Sequence, residues 1–237
     1  MVSDIAGGRE AAAAIMTPLS RDPPMTPTKP ALRGHFHQAM FFVVLGAGVP
    51  LIYNSQGLTA RVSVSLYVVC ALLTFGISAL YHRITWSTGT RAVWRRLDHA
   101  GIYLMIAGTF TPVAMLGLSA ASARACLTTI WIVALAGILQ SIFFVNIPKI
   151  FSAVLYLVAG YLIVPYMGEL QQTIGSANVW ILVAGGVAYT LGALCYALKR
   201  PVLDPRYFGY HEVFHLLVNA GAILHFFVIN DLVPQVD

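Results

Sequence analysis

Seven apolar runs follow one another along the chain, at about residues 38–57, 61–83, 98–118, 124–145, 150–168, 177–198 and 210–230. Each is long enough to cross the hydrocarbon core of a bilayer, which takes about 20 residues of helix. A helix is also the form in which a single segment satisfies its own backbone groups in lipid. The breaks between runs are short, so the pattern predicts an all-α integral membrane protein, a bundle of seven transmembrane helices forming one domain over residues 35–237. Residues 1–34 differ in kind. They are polar and carry Pro18, Pro23, Pro24, Pro27 and Pro30, and their one apolar cluster, Ala11 to Met16, is too short for a signal peptide core. They read as a disordered cytoplasmic tail.

Within the runs, Gly185, Gly186, Ala188 and Gly192 are the small residues that let helices approach closely in lipid. Pro50, Pro112 and Pro165 fall inside spans and are expected to kink them.

Composition sharpens the class. The chain is 58% hydrophobic and 10% charged, with mean hydropathy +0.77, whereas a soluble domain carries about 25% charged residues. The net charge of +5 is distributed among loops. It lacks the clustered basic face that nucleic-acid binding requires, so nucleic acid is excluded as a partner. Cys70, Cys126 and Cys195 lie in or at the ends of apolar runs and form no close-spaced pair. They read as packing residues.

The cations carry topology. With seven spans, the N-terminal segment and the loops after the second, fourth and sixth helices share one side. That side holds twelve of the fourteen lysines and arginines, and Arg61 and Arg124 alone fall on the other. The positive-inside rule then places the N-terminus in the cytoplasm and the C-terminus outside. This orientation is the reverse of a G-protein-coupled receptor, and the last span has no lysine for a retinal Schiff base.

Ionisable residues inside spans are costly and mark function. Here they gather where the second span ends, Ser78-x-x-x-His82, where the third begins, Asp98-His99, and where the seventh begins, His211-Glu212-x-x-His215. All three points lie at the cytoplasmic face. Residues four apart share a helix face, so His211 and His215 can direct two imidazoles to one point, and His82 supplies a third if the second and seventh helices are neighbours. Three imidazoles with an open fourth position match a catalytic-type zinc site. Asp98 can hold a water there or take its proton; equally, it can stabilise its helix N-terminus or pair with Arg95 or Arg96. Ser78 can bond that water, a substrate, or its own i−4 carbonyl. Glu212 fits the general base of the H-E-x-x-H zinc-protease pattern, although a supporting role or pairing with a loop arginine is the favoured reading. His99 is expected beside the site, His35 and His37 at the interface, and His225 about 15 Å too deep to join the same ion.

Together with Leu97-Asp98-His99-Ala-Gly101-Ile, Ala107-Gly108-Thr109-Phe110-Thr111-Pro112 and Phe208-Gly209-Tyr210-His211-Glu212-Val-Phe-His215, these segments resemble the hemolysin III branch of the progestin and adipoQ receptor family, which includes the adiponectin receptors. The resemblance spans about residues 31–230. It implies seven helices with a zinc ion near the cytoplasmic leaflet, held at His82, His211 and His215, with Asp98 at the position of the carboxylate that contacts the metal's water. It implies a multi-pass protein of the plasma membrane, here the bacterial inner membrane. The wider superfamily includes alkaline ceramidases, which implies hydrolysis of a lipid amide or a part in membrane-lipid homeostasis, with a membrane lipid as substrate or ligand. Channel formation or cytolysis, and a receptor-like sensor with structural zinc, are the competing functions. Glu212 stands where the receptors carry glutamine, and His99 where they carry an aromatic residue; both departures follow the bacterial branch.

Overall fold

The computed structural model describes residues 29–144 and 146–233. The tail expected over residues 1–34 therefore lies, through residue 28, outside the described residues. The regular elements among those described are helical: α1 (His35–Asn54), α2 (Gly57–Arg83), α3 (Thr88–Gly117), α4 (Ala120–Phe143), α5 (Lys149–Gly160), a 3-10 segment (Tyr161–Tyr166), α6 (Met167–Leu198) and α7 (Tyr210–Leu232). Six helical stretches are long and apolar enough to cross a membrane. Large apolar side chains such as Phe42, Val69, Ile132, Phe151 and Phe227 point outward from them. In water such a surface would be untenable; in lipid it is the matching solvent.

The count of crossings turns on one of the six, Lys149–Leu198, which is 50 residues long. It is not one rod. At its start, Lys149 Nζ donates to Tyr210 Oη at 2.9 Å and lies 4.5 Å from the centre of the Tyr196 ring. Midway, the Glu169 carboxylate accepts from Ser119 N and Ser122 Oγ, both at 2.6 Å, at the far end of α3. The stretch thus runs from one end of the bundle to the other and returns. The reversal falls at Gly175, with φ 80 and ψ 158 inside α6, a conformation that a residue with a Cβ rarely adopts. The two expected spans, 150–168 and 177–198, correspond to its two arms.

Helix limits depart from expectation at α3, which begins at Thr88, ten residues ahead of the expected span. Arg91 and Arg96 are exposed on this first part. Hydropathy marks where lipid begins, and the helix continues beyond that boundary. Of the prolines, Pro50 and Pro112 are carried inside α1 and α3, while Pro165 sits where α5 has given way to the 3-10 segment.

Packing pairs α1 with α2, α2 with α3, α3 with α4, and α6 with α7. Glycines set the closest approaches. Gly137 receives the Tyr103 ring, and Gly185 the His225 ring. Gly192 meets Phe214 and Leu217 at 3.4 Å, whereas Gly186 has no neighbour within 4 Å of its Cβ position and faces a cavity. Cys70 and Cys126 are buried, Cys195 is half-buried, and all three are free.

Candidate metal centre

Residues just before α1 fold over the end of the bundle where α2 stops and α3 and α7 start. Ala31 N donates to Arg206 O at 2.8 Å, tying this segment to the loop that leads into α7. Phe36 meets Phe208 edge to face, 5.7 Å between centroids. Gly34, at φ 82, lies so close to His82 that no side chain fits there. Residues 29–34, assigned to the tail from their polarity, thus form the wall of the site. Arg33 pairs with Glu212, supplied by a distant part of the chain, which local composition does not reveal.

Beneath that wall, His82, His211 and His215 are all buried and present ring nitrogens within 4.8 Å of one another. His82 Nε2 and His211 Nε2 are 3.1 Å apart. His82 Nε2 is also 3.6 Å from Asp98 Oδ2. The i, i+4 spacing directs His211 and His215 to one side of α7, with ring centroids 4.5 Å apart. The expected neighbourhood of the second and seventh helices is met differently. α7 packs on α6, α1 and α3, and the imidazoles themselves span the gap between α2 and α7.

The donor set fits a divalent transition metal such as zinc. Imidazole suits zinc, and two tetrahedral ligands at about 2.0–2.1 Å lie roughly 3.4 Å apart, close to the His82–His211 separation. A single hydrogen bond between those two rings leaves the third histidine unexplained. His215 Nδ1 is buried with no protein partner, a state that costs free energy. Three neutral imidazoles beside one carboxylate also keep the net charge of a filled centre low.

His37 was expected at the interface. It is buried instead, its ring stacked on His215 at 3.7 Å between centroids and 8° between planes. His37 Nδ1 and Ser78 Oγ are 2.8 Å apart. α1 starts at the same face as α3 and α7, so the topology argument that grouped the other histidines also reaches His37; its place outside the apolar run concealed it. Ser78 is therefore engaged with His37 and not with its own i−4 carbonyl.

Both oxygens of Glu212 are committed. Oε1 accepts from Arg33 Nε and Oε2 from Gly209 N at 2.8 Å, and the side chain is 1% exposed. The carboxylate closes the first turn of α7 and clips it to the segment before α1. Its expected pairing with an arginine is what the structure contains. Each oxygen of Glu212 already accepts one hydrogen bond, an arrangement that suits a holding role better than that of a general base. Asp98 Oδ2 faces His82 Nε2 across the site. His99 lines the adjoining cavity. His225 sits apart, its Nε2 3.1 Å from Leu182 O and its ring against Tyr189.

A cavity of about 600 Å³ opens beside the histidines. His37, Ser78, His82, Asp98, His211 and His215 line one end, and Met105, Val113, Leu157, Ile163, Leu182 and Val218 line its depth. The volume suits an acyl chain or a comparable amphiphile.

The profile of the haemolysin-III related family matches residues 25–226. The chain belongs to that family. It is 32% identical over 168 residues to the hemolysin-3 homolog of Bacillus subtilis (strain 168), covering 71% of this chain and 76% of the relative. With hemolysin-3 of Bacillus cereus it shares 30% identity over 171 residues, 72% of this chain and 75% of the relative. The adiponectin receptor protein of Drosophila melanogaster is 27% identical over 190 residues, which is 70% of this chain and 41% of the fly protein. The family match covers every residue of the histidine cluster and its wall. It establishes a multi-pass membrane protein with bacterial homologues, and it bears out the family resemblance read from the motifs.

Proposed function

We propose that this chain is a metal-dependent membrane hydrolase acting on a lipid amide and serving membrane-lipid homeostasis. The observation that carries the reading is a buried three-histidine cluster with a carboxylate beside it, opening on an apolar cavity of lipid size. His82, His211 and His215 would hold zinc, which when bound acidifies water and polarises a carbonyl. Asp98, 3.6 Å from His82 Nε2, takes the proton of the attacking water and returns it to the leaving amine. Ser78 donates toward the substrate carbonyl, and His37, bonded to its hydroxyl, fixes the rotamer. The apolar walls hold the acyl chain and keep bulk water from the reacting bond.

The Bacillus relatives are named for haemolysis. In this chain the histidine and carboxylate groups gather at one end of an apolar cavity, which favours a site over a pore. A sensor with structural zinc uses the same ligands but needs no carboxylate open to the cavity.

The purified protein should release fatty acid from an N-acyl lipid, and a strong chelator should stop the release and zinc restore it. Release that continues after metal is stripped sinks the reading; ion flux in liposomes without hydrolysis transfers it to the channel function.

The orientation is part of the proposal. Seven crossings with the N-terminal segment in the cytoplasm put the histidine end at the inner leaflet of a bacterial plasma membrane. The cations around that end, including Arg33, Arg83, Arg91, Arg95 and Lys149, support it. Reporter fusions at residues 90 and 203 should read as cytoplasmic and a fusion after residue 237 as external. A cytoplasmic C-terminus overturns the orientation.

A further inference from the structure

The mouth of the cavity is charged. Lys29, Arg33, Arg91, Arg95 and Lys149 line it, and Asp98 is the one lining carboxylate among the described residues. Glu212 matches Arg33. Lys149 is held by neutral aromatics, bonded to Tyr210 Oη at 2.9 Å and poised 4.5 Å over the Tyr196 ring. Arg91 lies 5.6 Å from the centre of the Tyr81 ring. Among the described residues, no carboxylate forms an ion pair with Lys29, Arg91 or Lys149. Burial lowers the Lys29 pKa, and the Arg91 and Arg33 guanidinium groups lower it further; cations this close repel one another until an anion lies between them. Cations that serve orientation alone need only sit near helix ends, as Arg96 and Arg200 do away from the cavity. Those at the mouth come from three separate parts of the chain and face one opening.

Building on the reading of this cavity as a lipid site, we propose that it receives an amphiphile with a phosphate head, which Lys29, Arg91 and Lys149 bind while the hydrocarbon chain lies in the apolar depth. A phosphate monoester carries about −1.5 to −2 charge at neutral pH and three strong acceptor oxygens, enough to answer cations approaching from several sides. A carboxylate, with one charge and two oxygens, leaves part of the cluster uncompensated. The amide lipid hydrolysed at the histidine end is then one whose head bears phosphate.

The full-length protein in neutral detergent micelles distinguishes the cases, using three probes that contain no amide: a monoacylglycerol phosphate, the uncharged monoacylglycerol of the same chain, and inorganic phosphate. The phosphate amphiphile should bind at least about tenfold more tightly than its uncharged counterpart. The triple change Lys29→Gln, Arg91→Gln, Lys149→Gln should abolish that preference without weakening the uncharged probe, and Lys149→Gln alone should reduce it. Arg96→Gln with Arg200→Gln should leave it intact. Equal binding of both amphiphiles, or a preference that survives the triple change, overturns the headgroup assignment while leaving the lipid site standing. Inorganic phosphate competing as well as the amphiphile overturns it in favour of a soluble anion. Should neither amphiphile bind, the lipid reading itself has failed.

Discussion

Alanine at His211 or His215 is expected to empty the metal centre. The wild-type protein should purify with about one zinc ion per chain, measured by elemental analysis, and either change should remove most of it. Each deletes one of three ligands from a site whose remaining rings are two buried imidazoles. The loss should exceed the roughly 10–100-fold weakening that removing an outer partner brings. That smaller loss is the one expected for His37→Ala, which strips the ring stacked on His215 and the partner of Ser78. Ligands that bind the native state stabilise it, so the two ligand variants should also melt at lower temperature, with added zinc raising the wild-type midpoint and not theirs. His225→Ala is the control, because that ring is bonded to Leu182 O and stands outside the cluster. Full zinc occupancy in both ligand variants refutes the centre.

Asp98→Asn carries the second large effect, on turnover. Asparagine keeps the size of the side chain and its capacity to accept a hydrogen bond from His82, but it cannot take a proton. If Asp98 is the base, hydrolysis should fall by about 10²–10⁴, the usual contribution of a positioned acid–base group, with zinc content and melting temperature little changed. A centre that only braces the bundle predicts a silent change. Glu212→Gln is the informative comparison, since glutamine can still accept from Gly209 N but loses the charge that pairs with Arg33. Leaving a guanidinium unmatched near a buried site destabilises it, so the effect should appear in the melting temperature more than in the rate at saturating zinc. Activity abolished by Glu212→Gln and spared by Asp98→Asn reverses the assignment of the base.

The spans and the His211–His215 pair were legible in the sequence because both obey local periodicity. Lipid imposes runs of about 20 apolar residues, and His211 and His215 are related by one turn of one helix. The grouping of His82 and Asp98 with them followed from counting helix ends, without any contact information. Features that depend on contacts between distant segments were hidden. Nothing near Arg33 in the chain announces Glu212, 179 positions later, and nothing near His37 announces His215. The reversal at Gly175, by contrast, falls in the gap already expected between the runs 150–168 and 177–198. The start of α3 was missed for a different reason: its first turns lie outside lipid, where hydropathy has no bearing on helix formation.

The clip formed by Arg33, Glu212 and Gly209 has a consequence for how the protein is made. It joins the segment before α1 to the first turn of α7, and two of the three clustered histidines lie within four residues of that turn. During synthesis, the six helices α1 to α6 precede His211. A nascent chain arrested before residue 211 holds His82 and Asp98 but lacks the other two histidines, so any metal the cluster takes could be held only once α7 is in place. The Arg33 side chain must wait until then for its carboxylate, and its pairing serves as the latch that records completion of the bundle.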